Sequence, residues 1–299
     1  MKIESNVYQV LLTGATGFVG SRLLEHFITL GWSVAVLIRD SSDRSSIDHL
    51  IDDHAVYFYD GTISSVEAAL VESGCEVVIH VASLFIAEHQ SNDVNELIAS
   101  NVGFPAHILE AMYSCGQKKI INVGTSWQYF DGESYNPACL YAATKQAFEA
   151  LLEFYIQAHS FSAVTLVLYD TYGPGDERKK LIPTLNKMSE SGGELGMSPG
   201  DQEIDLVHVD DVVRAFEIAV INILDYSDVD HRKYFIRSGK PVKIKDVVDF
   251  FVERSGGVLT VNWGARPYRD REVMSPYRNG RQLPGWSPLI ELADGLAAI

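Results

Sequence analysis

The sequence has few cysteines, no long apolar run and little positive charge. Its three cysteines, Cys75, Cys115 and Cys139, are odd in number, which argues against a disulfide framework, and their spacing fits no metal site. We therefore expect a reducing, cytoplasmic environment and no bound metal. No apolar stretch is long enough to span a bilayer, and residues 1–6 lead into a strand without a signal-peptide pattern, so we expect no membrane partner.

Acidic residues outnumber basic ones. The 40 Asp and Glu against 24 Lys and Arg give a net charge of −16, which argues against nucleic acid as a partner. An anionic nucleotide substrate would need local basic residues against this background. The hydrophobic share of 46% over 299 residues suffices for one large α/β unit with a smaller appended lobe.

A glycine-rich turn at 13–20, with the sequence TGATGFVG, follows the apolar run 7–12 and precedes a helical pattern. Strand, glycine turn and helix in this order form the context of a dinucleotide-binding turn. Gly14 permits the tight turn, Gly17 lets the backbone approach a pyrophosphate, and Gly20 lets helix and strand pack closely. The pyrophosphate charge would lie at the positive N-terminus of the helix.

Strand-like and helical patterns alternate through the first 170 residues. The strand-like runs are 7–13, 34–38, 56–59, 77–81, 119–123 and 163–169, and the helical patterns lie near 20–30, 64–73, 94–115 and 142–158. This alternation predicts an α/β fold, a doubly wound parallel (Rossmann) sheet that binds ligands at the carboxyl ends of its strands.

The pattern changes after residue 170, where glycine, proline and charge concentrate in 173–180. We predict a dinucleotide-binding domain over 1–170 and a smaller C-terminal substrate-binding lobe over 171–299. The strand 206–209 and the helix after it, to about residue 224, are expected to return to the larger domain.

A second motif, Tyr141-Ala142-Ala143-Thr144-Lys145, lies downstream of Thr125 and Ser126. With the glycine turn it resembles the short-chain dehydrogenase/reductase superfamily, and the form of the turn and the chain length point to the extended branch of nucleotide-sugar epimerases, dehydratases and ketoreductases. Further segments match that branch in order: Asp60-Gly61, His80 to Ser83, Asn101, Tyr172 to Asp176, Val207 to Val212 and Leu283 to Pro288.

Tyr141 and Lys145 lie four residues apart and so share one face of a helix. A free tyrosine has a pKa of about 10, and a nearby ammonium lowers it. We therefore expect Lys145 to lower the pKa of Tyr141, which exchanges a proton with the substrate oxygen. The resemblance implies that Lys145 also holds the nicotinamide ribose. It implies that Thr125 hydrogen-bonds the same substrate oxygen, with Ser126 as its alternative and as a substrate contact.

The second predicted strand ends at Ile38, where NAD-dependent relatives carry an acidic residue that binds the adenosine ribose. Arg39 follows and can pair with a 2′-phosphate, so we favour NADP(H); NAD(H), with Asp40 on the ribose, remains open. The resemblance implies that Asp60 accepts the adenine amine. The full predicted cofactor set is Gly14, Thr16, Gly17, Phe18, Val19, Gly20, Arg39, Asp60, Gly61, Val81, Ala82, Ser83, Asn101, Tyr141, Lys145 and Thr171.

Three features bear on the reaction. Sugar 4,6-dehydratases carry Asp-Glu directly after the catalytic threonine, whereas this chain has Ser126-Trp127, so we expect no dehydration. The fifteen residues between Thr125 and Tyr141 are similar to the short loop of deoxysugar 4-ketoreductases such as the CDP-abequose and CDP-paratose synthases. Arg39 favours NADPH and net reduction. The resemblance thus implies NADPH-dependent reduction of the 4-keto group of a nucleotide-activated 6-deoxyhexose. An NAD-dependent nucleotide-sugar 4-epimerase and a non-catalytic dinucleotide sensor are the alternatives.

In this family, two arginines bind the diphosphate of the nucleotide substrate. Arg269 matches one of them, whereas Ile204 occupies the position of the other. The basic run Arg178-Lys179-Lys180 offers replacement donors, of which we assign Arg178 to the substrate.

In relatives, the helices that correspond to 94–115 and 142–158 pair between subunits, so we expect a homodimer. An intramolecular core is the alternative role for the apolar residues of these helices. They are Leu97, Ile98, Ile108, Leu109, Met112, Phe148, Leu151, Leu152 and Tyr155.

Overall fold

The computed structural model describes residues 8–225 and 229–299. The strands are β1 (Gln9–Thr13), β2 (Ser33–Arg39), β3 (Val56–Tyr59), β4 (Val77–His80), β5 (Lys119–Thr125), β6 (Ser162–Leu168), β7 (Asp170–Tyr172), β8 (Gly193–Met197), β9 (Glu203–Ile204), β10 (Leu206–His208), β11 (His231–Ile236), β12 (Val242–Lys243) and β13 (Leu259–Trp263). The helices are α1 (Phe18–Thr29), α2 (Ile63–Ser73), α3 (Val94–Ile98), α4 (Phe104–Cys115), α5 (Leu140–His159), α6 (Leu181–Ser191), α7 (Val209–Leu224), α8 (Ile244–Arg254) and α9 (Leu292–Ala297).

A seven-stranded parallel sheet lies at the centre, in the order β11-β6-β5-β4-β1-β2-β3. Its inner strands are nearly continuous apolar runs because helices cover both faces; β2, for example, is buried from Val34 to Ile38. The strand order reverses at β1, which pairs with β2 on one side and with β4 on the other. The predicted doubly wound α/β fold is confirmed, and its switch point is where such sheets bind ligands.

Two apolar layers cover the faces of the sheet. Leu11 and Leu12 are neighbours in β1, yet they belong to opposite layers because side chains alternate along a strand. Leu12 packs in the layer that contains Phe27 of α1, and Leu11 in the layer that contains Met112 of α4 and Phe148 of α5. The two layers together fix the positions of the ends of β1, β4 and β5 relative to one another.

The helical pattern predicted over 94–115 is interrupted. α3 ends at Ile98, a π-helical turn covers Ala99–Gly103, and α4 begins at Phe104. Pro105 lies in the first turn of α4, where a missing N–H needs no partner. Asn101, inside the π-helical turn, is 2% exposed. Single π-helical turns are frequent at functional sites, and this one brings a polar side chain into the protein.

The chain passes between the two lobes more than once. The smaller lobe has a separate core between α6 and α8, with the strand pairs β8–β13 and β9–β12. α7 packs against α1 and the central sheet, whereas β10 pairs with β7 outside that sheet. β11 lies within the range assigned to the second lobe, yet it is the edge strand beside β6. Its first half, His231–Lys233, is polar and half-buried, so the sequence there lacks an apolar strand pattern.

The C-terminal segment is attached to the first turn of α7. The buried Asp211 carboxylate accepts the backbone N–H groups of Leu289 and Ile290 at 2.9 and 3.0 Å. The indole N–H of Trp286 donates to the Asp211 carbonyl at 2.8 Å. These contacts join two of the segments on which the family resemblance rests. Across the described residues, no helix combines the length and the apolar character that crossing a bilayer requires.

Candidate active site

A cavity of about 1060 Å³ opens at the carboxyl ends of the parallel strands. Most of the predicted site residues line it: Gly14, Thr16, Gly17, Phe18, Val19, Gly20, Arg39, Gly61, Val81, Ala82, Ser83, Thr125, Ser126, Tyr141, Thr171 and Arg178. Asp60, Asn101, Lys145 and Arg269 lie behind or beside this lining. The fold thus brings the glycine turn and the Thr125–Tyr141 region to one cavity, although they are more than a hundred residues apart in sequence.

The glycine turn fits an anionic dinucleotide. Gly14 has φ +75°, and a Cβ there would lie 2.5 Å from the amide nitrogen of Ala82; a Cβ on Gly20 would lie 1.9 Å from the Gly14 carbonyl oxygen. Gly17 differs, because its Cβ would make only an ordinary 3.4 Å contact with the same oxygen. The first turn of α1 contains no acidic residue, and no side chain caps it. Its free backbone N–H groups and the helix dipole suit a pyrophosphate against Gly17.

Arg39 and Ser42 line the cavity beyond the end of β2. The Arg39 side chain is exposed. Arg44, another basic residue nearby, is held in ion pairs by Asp48 and Asp53 at 2.8 and 2.7 Å. Arg39 is therefore better placed than Arg44 to meet a ligand phosphate in this part of the cavity.

Asp60 is engaged in a local turn. Its Oδ1 accepts the backbone N–H of Thr62 at 2.9 Å and the Thr62 hydroxyl at 2.6 Å, and Thr62 is the N-cap of α2. Gly61, its neighbour, lines the cavity. A contact between Asp60 and an adenine amine stays a prediction.

Thr125 ends β5 and begins the short helical turn Ser126–Gln128. Its hydroxyl accepts the backbone N–H of Trp127 at 3.3 Å, and the Gln128 side-chain oxygen accepts the Thr125 N–H at 2.8 Å. This reciprocal cap fixes the backbone of Thr125 where its side chain and that of Ser126 border the cavity.

Tyr141 lies in the first turn of α5 and is 9% exposed. The ring of Phe85 packs edge-on against Tyr141 and against Trp127, with centroids 5.0 and 5.6 Å apart. Phe85 itself borders the cavity, so it forms an apolar wall between Tyr141 and the Thr125 turn. Sequence reasoning missed Phe85, although it follows Ser83 closely at the end of β4.

Burial dominates the protonation of the tyrosine and the lysine. Desolvation raises the pKa of Tyr141 to about 12, and its interactions with the Ser83 hydroxyl and with the charge of Arg178 act in the opposite direction. Lys145 is 2% exposed, and desolvation lowers its pKa to about 8 against the favourable charge of Glu149. The expected lowering of the Tyr141 pKa by Lys145 is wrong for this structure, because desolvation of the buried hydroxyl outweighs the charges around it.

Asn101 supports the site from behind the cavity. Its side-chain oxygen accepts from the Ser83 hydroxyl and from the Leu84 N–H at 3.1 and 2.8 Å. Its amide nitrogen donates to the Leu84 carbonyl and to the Thr144 hydroxyl at 2.9 and 3.0 Å. These bonds tie the loop after β4 to α5. Asn101 thus orders the residues that border the cavity, and a direct contact between Asn101 and the cofactor stays a prediction.

Arg178 is held by internal contacts. Its guanidinium donates twice to Asp176, at 2.7 Å each, and to the Thr171 carbonyl at 2.8 Å. It lies over the ring of Phe18, 4.5 Å from the centroid. Arg178 therefore connects the first loop of the second lobe to the start of α1, close to the predicted pyrophosphate position.

Lys180 and Arg269 flank the aromatic wall. Lys180 Nζ lies 4.9 Å from the Phe85 ring centroid and 3.9 Å from an Asp170 carboxylate oxygen. The Arg269 guanidinium lies 5.5 Å from the ring centroid of Trp127. Both cations thus stand beside rings that border the cavity.

This arrangement defines the class of protein. A glycine turn at the switch point of a doubly wound sheet, with a Thr–Tyr–Lys group at the neighbouring strand end, is the site of an NAD(P)-dependent oxidoreductase of the extended short-chain dehydrogenase/reductase type. The chain belongs to the NAD dependent epimerase/dehydratase family, whose sequence profile matches residues 10–227. The family predicted from the motifs is confirmed.

Individual relatives cover nearly the whole chain. CDP-abequose synthase of Yersinia pseudotuberculosis is 29% identical over 91% of this chain and 93% of that protein. The dTDP-glucose 4,6-dehydratase of Streptomyces griseus is 25% identical over 97% and 92%. Among solved structures, Thermus thermophilus UDP-glucose 4-epimerase in complex with NAD has a TM-score of 0.80 at 24% identity, covering 97% of this chain and 96% of that one. This last similarity supports the fold alone.

Proposed function

We propose that the protein reduces the 4-keto group of a nucleotide-activated 6-deoxyhexose with NADPH. The observation that carries the proposal is the end-to-end similarity to CDP-abequose synthase, over 91% of this chain and 93% of that protein. The position of Thr125 and Tyr141 beside the cavity supports it. Ser126-Trp127 stands where sugar 4,6-dehydratases carry Asp-Glu, which argues against elimination.

The protonation of Tyr141 is compatible with the reductive direction. Because burial raises the pKa of Tyr141 to about 12, its hydroxyl carries a proton at neutral pH. A reductase begins by giving a proton to a carbonyl oxygen, whereas a 4-epimerase begins by removing one from a sugar hydroxyl. A protonated Tyr141 is the form in which a reductase would begin its proton transfer.

Each of the three residues has a distinct task. NADPH, when bound, supplies a hydride to the carbonyl carbon. Tyr141 donates its hydroxyl proton to the carbonyl oxygen as the C=O π bond opens, and then recovers a proton from solvent. The Thr125 hydroxyl donates a hydrogen bond to the same oxygen and stabilises the negative charge that develops there. Lys145, one helical turn behind Tyr141, stabilises the phenolate left after the transfer.

NADPH preference depends on Arg39. Arg39→Glu removes the cation and adds a charge that repels a 2′-phosphate, so we expect affinity for NADPH to fall roughly ten- to hundredfold while NADH affinity changes little. Arg266→Glu, at an exposed position of the second lobe, is the matched charge control. Equal losses for both cofactors, or the same loss in the control, would remove Arg39 from the 2′-phosphate site. Isothermal titration with each cofactor supplies the affinities.

The substrate diphosphate needs cations, and the cavity offers Lys180 for this purpose. Ile204 stands where relatives have an arginine, and the Arg178 side chain is committed to Asp176 and Thr171. Lys180 borders the cavity without a close ion pair, since Asp170 is 3.9 Å away. We therefore assign a diphosphate contact to Lys180 beside the predicted contact of Arg269. The contact predicted for Arg178 would require its guanidinium to leave Asp176.

The proposal is tested first by the cofactor and then by turnover. Nicotinamide released from the denatured, purified protein is identified, and NADPH and NADH are titrated into the cofactor-free form. A 4-keto-6-deoxyhexose carried on cytidine diphosphate is then supplied with NADPH, followed by the uridine and thymidine counterparts. NADPH consumption that requires the 4-keto sugar supports the reductase. Tightly retained NAD, with interconversion of 4-epimers and no net oxidation, would replace it with the epimerase.

We propose that the protein forms a homodimer in the cytoplasm. Most of the apolar residues considered for the subunit interface are intramolecular core, since Leu97, Ile108 and Phe148 are fully buried within the chain. Ile98, Leu151 and the neighbouring Phe154 remain exposed at 45%, 37% and 58%, and they supply an apolar surface for a second subunit. The exposed free thiol of Cys115 suits a reducing compartment. Analytical ultracentrifugation of the wild type and Phe154→Lys measures the assembly state.

A further inference from the structure

A buried polar network links the Thr125 turn to the edge strand β11. Its centre is Glu149 on α5, whose side chain is 4% exposed. One carboxylate oxygen accepts an N–H of Gln128 at 3.0 Å, and the other accepts Lys233 Nζ at 2.5 Å. Lys233 also donates to the Tyr129 hydroxyl at 3.2 Å. A buried carboxylate is unfavourable unless it is paired and hydrogen-bonded, and here both conditions are met.

One end of the network is the backbone of Thr125. Gln128 accepts the Thr125 N–H with its side-chain oxygen and donates to Glu149 with its side-chain nitrogen. Gly124 leaves room for these groups, because a Cβ there would lie 3.0 Å from the Gln128 oxygen and 3.2 Å from a Glu149 oxygen. The same Gln128 nitrogen also donates to the Gln146 side-chain oxygen at 3.0 Å. Glu149 is therefore one of two acceptors that hold Gln128 against the Thr125 N–H.

The other end of the network is Lys145, one helical turn before Glu149. Lys145 is buried, and the Glu149 charge favours its ammonium form against desolvation. Two other titratable groups are close to Lys145: Tyr141 on the same helix, and His80 at the end of β4, whose imidazole is affected by the Lys145 charge.

We propose that Glu149, held by Lys233 and Gln128, is a positioning residue that fixes the backbone of Thr125 and keeps Lys145 in its ammonium form. The inference rests on the proposed function only in treating Thr125 and Lys145 as catalytic. Lys233 reaches the network from β11, on the far side of β6 from the catalytic strand end, so the edge strand contributes to the site without bordering it.

The test measures the protonation of Lys145 directly. Protein labelled with ¹³C at the lysine ε-carbon is titrated by NMR, and the Lys145 signal is assigned by its loss in Lys145→Arg. In Glu149→Gln we expect the Lys145 midpoint to move to lower pH by roughly half a unit or more, because the favourable charge is removed. Glu153→Gln is the matched control: Glu153 lies one turn further on α5 and also pairs with β11, through His231 at 3.2 Å. In Glu153→Gln the shift of the Lys145 midpoint should be negligible.

A second variant keeps the proposal falsifiable if Glu149→Gln does not fold. Lys233→Gln retains a hydrogen bond to Glu149 but removes the positive charge that offsets the carboxylate, and Lys233 is 30% exposed. Its Lys145 midpoint should move to higher pH, opposite to the Glu149→Gln shift. Equal midpoints in Glu149→Gln and Glu153→Gln, or an unchanged midpoint in Lys233→Gln, would overturn the proposal.

Turnover separates this inference from the proposed function. If the protein reduces a 4-keto sugar, the alkaline limb of its kcat profile should move with the NMR midpoint in Glu149→Gln and stay in place in Glu153→Gln. NMR shifts as expected without any reductase activity would leave the positioning role intact and remove the proposed reaction. Reductase activity with equal Lys145 midpoints in Glu149→Gln and Glu153→Gln would keep the proposed reaction and remove the positioning role.

Discussion

Replacement of Lys145 by methionine is expected to stabilise the folded protein at neutral pH. Methionine fills much of the volume of the lysine stem and carries no charge. Folding lowers the pKa of Lys145 from the ordinary 10.5 to about 8. At about 1.4 kcal/mol per pH unit, this fall corresponds to a penalty of about 3 kcal/mol on the folded state. Because Lys145 is only 2% exposed, solvent does not screen the penalty appreciably.

The direction of the pKa change fixes the pH window. Below about pH 8 Lys145 is charged in both the folded and the unfolded chain, so the folded chain bears the full penalty. Between about pH 8 and 10.5 the folded lysine is neutral while the unfolded lysine still binds a proton, so stability rises with pH. The raised pKa of Tyr141 acts in the opposite direction, but only above its ordinary value of 10.

Urea unfolding of the wild type and Lys145→Met at pH 7, 9 and 10.5 gives the free energies of unfolding to compare. The variant should be more stable by about 3 kcal/mol at pH 7, and the advantage should shrink toward zero by pH 10.5. Lys187→Met, at an exposed helix position, should show a small difference that does not depend on pH. A Lys145→Met protein that is less stable than the wild type by the same amount at all three pH values would refute the reasoning, because packing rather than charge would then govern the site.

Two other substitutions test separate parts of the argument. Tyr141→Phe should reduce turnover roughly a hundred- to ten-thousandfold while NADPH affinity is kept, and Tyr135→Phe, at a residue 79% exposed, should leave turnover unchanged; a non-catalytic sensor would lose nothing in either variant. Asp211→Asn should lower the free energy of unfolding by about 3 kcal/mol in a urea titration, because it disrupts a 1% exposed carboxylate bound to two backbone N–H groups and to Arg214. The exposed neighbour substitution Asp210→Asn should stay within about 0.5 kcal/mol, and an equal effect of the two would show that the C-terminal segment is held by other contacts.

The larger domain could be predicted because its signals are local. The apolar run before the turn at 13–20 and the helical pattern after it specify a strand–turn–helix unit without reference to the rest of the chain. The Thr125 and Tyr141 motifs lie at a strand end and at a helix start, which the strand ends of a parallel sheet bring to the same edge. Local pattern and global fold agree here, as they do in sequences that fold to one structure.

The parts that escaped prediction depend on contacts between distant segments. The first half of β11 carries half-buried polar residues, and one of them, Lys233, pairs with the buried Glu149. No local sequence pattern predicts such a pair, because the two residues are 84 positions apart. The protonation of Tyr141 was misjudged for a related reason. Spacing along a helix predicts that Lys145 is near, but only the packed structure shows that burial of the hydroxyl dominates the pKa of Tyr141.

The pattern of destabilising groups argues for catalysis over passive cofactor sensing. A sensor needs the glycine turn and the open start of α1, which hold a pyrophosphate with backbone groups alone. It has no use for a lysine held at 2% exposure, or for a carboxylate buried at 4% one turn away. Both buried charges oppose folding unless neighbouring groups of opposite charge compensate them. Methionine or leucine at these positions would give a more stable core. Their presence beside Tyr141 is explained if the ammonium must stabilise a phenolate during turnover, so the buried charge that lowers stability is itself evidence for proton transfer at this site.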